Sequence, residues 1–280
     1  MPELAYVNGS IVAVEEAVVS AEDRGFLFAD GIYEVARSYN SKLVDLDRHL
    51  ARLERSARML DLPLPMPLPD LDRTCRSFYA QSGLPEAILY LQVTRGAGKR
   101  QNAAPPELKP TLVMTVRAIA KPTPSEFAVV TVPNNRWRMC DCKTIALLPT
   151  VLAKHAAVRA GADDAIFVED DETVLEGASD NIFVVKGGEV YTAPADNRIL
   201  AGVTRGRVLE IIGQRGLPVR VEHFKRDFMM AADEVFLTSS VLTVVPIVRI
   251  DGRSIGGGKP GPVAQSLCRA YWDIVREITA

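Results

Sequence analysis

Residues 139–144 read MCDCKT, and from Thr144 the chain continues as IALLPTVLAKHAAVRAG to Gly161. The run 147–161 has helical character and ends at Gly161, a residue type that commonly follows the last turn of a helix. A strand is predicted before the segment, at 127–132 (FAVVTV), and apolar residues flank Lys143. We therefore expect a strand end that presents Lys143 just before a helix.

Cys140 and Cys142 stand one residue apart beside this lysine. Structural zinc takes four ligands, usually from two paired clusters, whereas Cys75 and Cys268 are single and the histidines are scattered. A thioredoxin-like redox pair needs two residues between its cysteines. We therefore predict no metal site, and we interpret Cys140 and Cys142 as small packing residues.

The composition is that of an ordinary globular protein, with 280 residues, 48% hydrophobic residues, 24% charged residues and a net charge of −2. This balance predicts no nucleic-acid partner and no anionic membrane surface. No apolar run reaches the roughly 18 residues of a spanning helix, and the start, MPELAYVNGS, lacks a basic n-region and an apolar h-region. Four cysteines in so long a chain make no disulfide framework, so we expect a cytoplasmic protein with reduced thiols.

The first part of the chain mixes strand and helix patterns. Asn8-Gly9 sits between alternating apolar residues and predicts a two-residue hairpin. Apolar residues recur at helical spacing from Asp45 to Pro63, at Leu46, Leu50, Leu53, Ala57 and Leu60. A second helix is predicted near 71–81, followed by strands in AILYLQVTRG (87–96) and TLVMTVRAI (111–119).

The segment AKPTPSEF (120–127) is the best candidate for a domain linker, because its prolines stiffen the chain and no periodicity crosses it. Beyond it, predicted strands alternate with predicted helices, as in α/β folds. We therefore predict an N-terminal α+β domain at 1–119, a linker at 120–127 and a C-terminal α/β domain at 128–280.

Several segments supply the groups that a pyridoxal phosphate (PLP) enzyme requires. Lys143 could form an imine with the cofactor. Glu176 in LEGASDN, which is predicted to be a glycine-flanked loop between strands, could pair with the pyridine nitrogen. Gly202-Val203-Thr204 opens a predicted helix, and TSS (238–240) follows a predicted strand; both suit phosphate. Arg52 in the first predicted helix could also reach a phosphate. Each signal alone has a plainer interpretation: Lys143 as a solvated lysine, Arg52 as a solvated helix arginine and Thr204 as a helix N-cap. GGGKPG (256–261) lacks the phosphate-loop spacing and predicts a surface turn.

Taken together and in order, the segments from about 6 to 246 resemble the fold-type IV PLP enzymes, the class IV aminotransferases. The resemblance is carried by EDRGFLFADGIYEV, HLARL, VTRGAGKR, RWRMCDCKTIALLPTVLAKHAA, LEGASDNIF, ILAGVTR and EVFLTSS. Within the family, the details are most similar to the D-amino-acid transaminases. The resemblance implies a small N-terminal α+β domain, a larger C-terminal pseudobarrel α/β domain and an active site between them. It also implies a homodimer in which loops of the second subunit complete the site.

The resemblance further implies a role for each matching residue. Lys143 is the Schiff-base lysine and Glu176 the partner of the pyridine nitrogen. The residues that hold the phosphate are Arg52, Val203, Thr204 and Ser240. Leu200 packs against the cofactor ring, and Tyr33 lines the substrate pocket near the lysine.

Substrate choice depends on the loop 96–110. D-amino-acid transaminases bind the substrate α-carboxylate with an arginine and, two residues on, a histidine. Arg100 matches the arginine, whereas Asn102 stands at the histidine position, which weakens or reshapes the carboxylate site. The planar guanidinium of arginine suits both oxygens of a carboxylate. A plainer interpretation makes Arg100 a mobile surface residue.

The leading hypothesis is transfer of the amino group of a D-amino acid to a 2-oxo acid, with ping-pong kinetics. YEV at 33–35 fits the D-specific group, although ADG at 29–31 departs from the usual GDG. Branched-chain L-amino-acid transaminases, (R)-amine transaminases and aminodeoxychorismate lyase share the cofactor motifs and stay as alternatives. A binding protein that kept the fold and lost the chemistry is the alternative outside enzymes.

Overall fold

The structure is a computed structural model that describes residues 3–120 and 126–280. Residue contacts divide the chain into two compact units. Unit 1 comprises Met1–Lys121, Cys142–Ala146 and Glu277–Ala280; unit 2 comprises Pro122–Asp141 and Leu147–Arg276. Residues 121–125 of the predicted linker lie outside the described residues, and the domain boundaries predicted at 119 and 128 stay predictions.

Unit 1 is built on one antiparallel sheet of six strands in the order β2-β1-β6-β5-β3-β4. Its elements are β1 Leu4–Val7, β2 Ser10–Ala13, α1 Arg24–Phe28, β3 Gly31–Tyr39, β4 Lys42–Leu43, α2 Leu46–Met59, α3 Leu68–Gln81, β5 Ala87–Thr94 and β6 Thr111–Ala118. The predicted hairpin is confirmed, because β1 and β2 pair with Asn8 and Gly9 alone between them. Both turn residues have positive φ angles, 49° and 103°, which is the conformation that an Asn-Gly pair adopts readily.

The helix predicted from Asp45 is confirmed as α2. Its apolar face, Leu46, Leu50, Leu53 and Ala57, is buried. Asp45 occupies the N-cap position, but its side chain makes no capping hydrogen bond. The same face also buries polar side chains, and these contribute to the candidate site described below.

Unit 2 is built on a mixed sheet of nine strands, in the order β12-β11-β10-β13-β14-β7-β8-β9 with β15 paired to β14. Its elements are β7 Phe127–Pro133, α4 Leu148–Arg159, β8 Asp164–Val168, β9 Val174–Gly177, β10 Asn181–Lys186, β11 Glu189–Thr192, α5 Val203–Gln214, β12 Val219–Val221, α6 Arg226–Met230, β13 Glu234–Ser239, β14 Thr243–Ile250, β15 Arg253–Ser254 and α7 Pro262–Thr279. The β11–β12, β14–β7 and β7–β8 pairs are parallel, so the strand and helix alternation predicted for this part is confirmed.

Among the described residues, two apolar clusters lie in the core of unit 2. One joins strands and α6 through residues such as Val184, Val235 and Met229. The other packs Ala157 of α4 against Phe167 and nearby strand residues. The described helices include none that is long and apolar enough to cross a membrane.

Candidate active site

Lys143 lies in the short segment of unit 1 that comprises Cys142–Ala146. The expectation of a strand end is wrong, because β7 ends well before the lysine and Lys143 itself has no regular secondary structure. Tyr33 N donates to the Lys143 carbonyl oxygen at 3.0 Å, and Lys143 N donates to Ser56 Oγ at 3.1 Å. The lysine backbone is therefore held by hydrogen bonds to β3 and α2 and does not depend on a strand of its own.

The side chain of Lys143 faces an aromatic ring. Its Nζ lies 4.1 Å from the centroid of the Tyr33 ring, which in turn packs at 5.7 Å against the ring of Tyr90. The structure thus brings together the two residues that the sequence motifs placed near one another. The role of Tyr33 in substrate binding stays a prediction.

Arg52 lies on α2 with its side chain only 6% exposed. Its Nε and Nη2 donate to the two carboxylate oxygens of Glu34 at 2.7 and 2.8 Å, and His49 Nδ1 lies 2.7 Å from the same carboxylate. Burial would raise the pKa of Glu34, but Arg52 and His49 outweigh it and lower the pKa to about 2. Glu34 is therefore an anion that orients the arginine, a contact that sequence reasoning missed.

Glu176 lies inside β9 of unit 2, so its expected position in a loop between strands is wrong. The buried carboxylate accepts hydrogen bonds from Asn181 Nδ2 at 3.1 Å and from Leu200 N at 3.0 Å, and it forms an ion pair with Arg136. These donors fix the carboxylate in one orientation. A fixed, buried carboxylate suits a partner that donates a hydrogen bond from a ring nitrogen.

Arg136 received no role from the sequence. In the structure its Nη2 also donates to the Arg198 carbonyl at 3.0 Å, and its guanidinium lies 4.2 Å from the centroid of the Phe167 ring. The sequence offered no signal for these contacts, since Arg136 and Glu176 are far apart along the chain.

The N-terminus of α5 has the properties of an anion site. The helix begins at Val203 as predicted, with Gly202 as its N-cap, and the first amides of a helix have no intrahelical acceptor. Thr204 is buried, and its Oγ1 has no hydrogen-bond partner among the described residues. A buried hydroxyl without a partner beside free helix amides fits a phosphate group.

The Asn181 side chain lies so close to residue 202 that it leaves no room for a Cβ there. A Cβ at Gly202 would overlap Asn181 Oδ1. The amide of Asn181 donates to the Leu200 carbonyl at 2.9 Å, so this side chain links Glu176 to the loop that leads into α5. Ser240 directly follows β13, as expected from the TSS motif, and its contact with phosphate stays a prediction.

Arg100 and Asn102 lie on the exposed loop that follows β5. The guanidinium of Arg100 lies 5.2 Å from the centroid of the Phe28 ring, and the Asn102 carbonyl accepts a hydrogen bond from Arg24. The role of both residues in carboxylate binding stays a prediction.

The cysteines differ in their surroundings. Cys142 is buried, with its Sγ 3.6 Å from the Ser56 carbonyl oxygen, in agreement with its interpretation as a packing residue. Cys140 is only partly buried, and that burial raises the pKa of its thiol to about 11. A group of three or more potential metal ligands is not found in the described part of the chain.

Asp180 is a buried acid that sequence reasoning also missed. Burial and the neighbouring Asp164, which is ion-paired with Lys154, raise the pKa of Asp180 well above its ordinary value. The nearby Glu176 carboxylate contributes to the same rise in pKa. The sequence signal for a buried acid here is the position of Asp180 just before the apolar residues of NIFVV (181–185).

The sequence profile described as amino-transferase class IV matches residues 31–250. The chain is 38% identical over 270 residues to a D-alanine aminotransferase of Staphylococcus haemolyticus, with 95% of each chain covered. It is 36% identical over 276 residues to a D-alanine aminotransferase of Bacillus licheniformis, with 98% of this chain and 97% of the relative covered.

Solved structures agree with this assignment. A T.th. branched-chain amino acid aminotransferase, complexed with N-(5'-phosphopyridoxyl)-L-glutamate, superposes with a TM-score of 0.91 at 27% identity and covers 99% of this chain and 95% of its own. The Escherichia coli branched-chain enzyme has a TM-score of 0.92 at 22% identity, covers 100% of this chain and 97% of its own, and supports the fold alone. The predicted fold-type IV architecture is confirmed, and the chain belongs to the class IV aminotransferases, with PLP as its cofactor.

Proposed function

We propose that this chain is a D-amino-acid transaminase that moves the amino group of a D-amino acid to a 2-oxo acid. The observation that carries the proposal is the near-full-length similarity, at 36–38% identity, to enzymes named D-alanine aminotransferase. The geometry within each unit is compatible with it, because each holds buried, oriented polar groups at positions that the family motifs mark for the cofactor.

Lys143 and Glu176 carry the central chemical roles in this proposal. Lys143 would hold PLP covalently through Nζ and, once freed by the amino donor, would act as the general base that takes the proton from the substrate Cα. Glu176 would accept a hydrogen bond from the pyridine nitrogen and favour its protonated form. When bound, PLP supplies an electron sink for the electron pair left at Cα.

The remaining residues bind and orient. The α5 N-terminus offers the Val203 and Thr204 amides and the unpartnered Thr204 hydroxyl to the phosphate. Further phosphate ligands are Arg52, which Glu34 holds in one orientation, and Ser240. Leu200 packs on the ring. Towards the substrate, Tyr33 lines the pocket, and the α-carboxylate is bound by Arg100 with Asn102.

The chain works as a cytoplasmic homodimer with a shared active site in this proposal. Support for the dimer comes from α4, which exposes an apolar stripe consisting of Leu148, Val151, Leu152 and Val158. An apolar stripe of this kind on a monomer is typical of a surface that another chain covers. All four cysteines are free, which suits a reducing compartment.

The decisive experiment supplies the purified enzyme with D-alanine or L-alanine, each with 2-oxoglutarate, and follows pyruvate. We expect pyruvate from the D-isomer. Preference for L-alanine would favour the branched-chain alternative, and pyruvate formed only when aminodeoxychorismate is supplied instead would identify a lyase. Either result contradicts the proposal.

The visible absorption of protein-bound PLP tests the lysine separately. Lys143→Ala should lose the band, whereas Lys259→Ala, which removes a lysine from the turn 256–261, should keep it. A wild-type protein without such a band would favour a binding protein that lost the chemistry.

A further inference from the structure

A buried arginine on α1 holds the loop that carries Arg100. The side chain of Arg24 is 6% exposed and uses three of its nitrogens. Nε donates to Asp30 Oδ2 at 2.7 Å, Nη1 to the Gln101 carbonyl at 2.7 Å and Nη2 to the Asn102 carbonyl at 3.0 Å. Its three partners therefore include the backbone of the two residues directly after Arg100.

The loop residues before Arg100 are hydrogen-bonded to the backbone of residues 22–24. Arg24 N donates to the Gly96 carbonyl at 2.9 Å, and Gly98 N donates to the Glu22 carbonyl at 3.1 Å. The backbone of the loop is thus held before Arg100 and after it. Few conformations of the Arg100 backbone satisfy both sets of hydrogen bonds.

Asp30 anchors Arg24 in turn. Its carboxylate also accepts from Arg95 Nε at 2.9 Å, and Arg95 reaches the carbonyls of Leu60 and Asp61 at the end of α2, each at 2.8 Å. Burial would raise the pKa of Asp30, but Arg95 and Arg24 outweigh it and hold the pKa below its ordinary value. Asp30 is therefore charged and fixes the orientation of the Arg24 guanidinium.

The Phe28 ring connects the two arginines. The guanidinium carbon of Arg24 lies 4.7 Å from the ring centroid, and that of Arg100 lies 5.2 Å from it. Asp30 carries one negative charge against the two guanidinium groups of Arg24 and Arg95, so this cluster stays positive beside the loop of Arg100. Phe28 also limits the rotamers that the Arg100 side chain can adopt.

We propose that Arg24 is a positioning residue for substrate specificity, which presents Arg100 to the substrate carboxylate by holding the loop backbone at Gln101 and Asn102. This inference rests on the proposed role of Arg100. A carboxylate binds an arginine more tightly when the loop is ordered in advance, because binding then costs less conformational entropy. Lysine can replace Arg24 only in part, since one ammonium does not span a carboxylate and two carbonyls as a guanidinium does.

The kinetic test compares the PLP-loaded wild type with Arg24→Met and Arg24→Lys. In Arg24→Met the loop no longer holds Arg100 in place for the substrate carboxylate. KM for D-alanine should therefore rise about 10-fold or more, with kcat changed less than about 3-fold. Arg58→Ala is the matched control, because Arg58 is an exposed arginine paired only with Glu54 among the contacts seen on its helix. We expect wild-type kinetics from this control.

A double-mutant cycle asks whether Arg24 acts through Arg100. Adding Arg24→Met to Arg100→Met should raise KM no further if the two residues work as one unit. Independent, additive effects on KM would overturn the proposal. Equal KM values for wild type and Arg24→Met would overturn it as well.

Limited trypsin digestion provides a readout that needs no activity. Lys99 and Arg100 are exposed cleavage sites, but the backbone hydrogen bonds must open before cleavage. Arg24→Met should accelerate cleavage at these sites about 10-fold, Arg24→Lys less, and Arg58→Ala not at all. Unchanged cleavage in Arg24→Met contradicts the inference. If the wild type prefers L-alanine, the proposed function fails, whereas the digestion still decides whether Arg24 holds the loop.

Discussion

Buried charges on α2 and β3 connect the stability of unit 1 with the proposed phosphate ligand Arg52. Arg52 and Glu34 are removed from water together, and their two hydrogen bonds and the contact from His49 offset the cost of desolvation. The family resemblance predicts that Arg52 binds the cofactor phosphate. The pairing with Glu34 became evident only in the structure, because a glutamate on a strand has no sequence signal for its partner on a helix.

Replacement of Glu34 by Gln should destabilise the protein by about 3–5 kcal/mol at pH 7, because it leaves the buried Arg52 charge without its partner. Urea unfolding of the apo protein measures this loss. The matched control is Glu54→Gln, which removes an exposed ion pair to Arg58 and should cost less than about 1 kcal/mol.

The effect of Glu34→Gln should also depend on pH. The folded-state pKa of Glu34 is about 2, below the roughly 4.3 of an unfolded glutamate. The contribution of Glu34 is therefore fully present above about pH 4.5 and is lost as the pH falls towards 2. The difference in unfolding free energy between wild type and variant should shrink over this window. A constant difference from about pH 6 to about pH 3 would contradict the assignment.

At the scale of elements, a helix N-terminus, a strand and an irregular segment provide the proposed cofactor contacts. The start of α5 was predictable, because glycine before a run with helical periodicity is a local signal. The position of residues 143–145 was not, because their backbone hydrogen bonds go to β3 and α2 and the flanking residues do not specify them.

Thr204→Val tests whether the α5 N-terminus binds phosphate. The Thr204 hydroxyl has no partner within the described residues, so its loss should change the free energy of unfolding of the apo protein by less than about 0.5 kcal/mol. The Kd for PLP should rise roughly 10-fold or more, since a hydrogen bond to a charged group is lost.

Thr192→Val is the control for this experiment. Thr192 is equally buried, but its Oγ1 donates to the Ile182 carbonyl at 2.9 Å. This variant should lose about 1 kcal/mol of stability and keep its affinity for PLP. An unchanged Kd in Thr204→Val would remove Thr204 from the phosphate site.

At the scale of the whole molecule, the exposed apolar stripe of α4 stands apart from the buried faces of the other long helices. Leu148 and Val158 are 68% and 74% exposed. The sequence periodicity of this helix indicated a helix but not which face would remain uncovered, since burial depends on which elements pack against it.

The proposed homodimer makes a direct prediction for this stripe. Wild type should sediment at about twice the mass of one chain, and Leu148→Asp with Leu152→Asp should raise the dimer dissociation constant at least about 30-fold, as expected for the loss of central interface residues. Val221→Asp is the control. Val221 lies on β12 and has the same exposure, 49%, as Leu152 on α4. A wild-type monomer, or a dimer unaffected by the α4 changes, would contradict the proposal.

The sequence by itself determined the family, the hairpin at Asn8-Gly9, the helix α2 and the start of α5, because turn chemistry and helical periodicity act between neighbours along the chain. The family motifs also predicted cofactor-binding roles for Lys143 and Glu176. Only the tertiary structure decided that Glu176 lies in a strand and pairs with Arg136, and that Arg24 holds the loop of Arg100. These contacts join residues far apart in sequence, and their energies depend on burial and orientation, which exist only once the chain has folded.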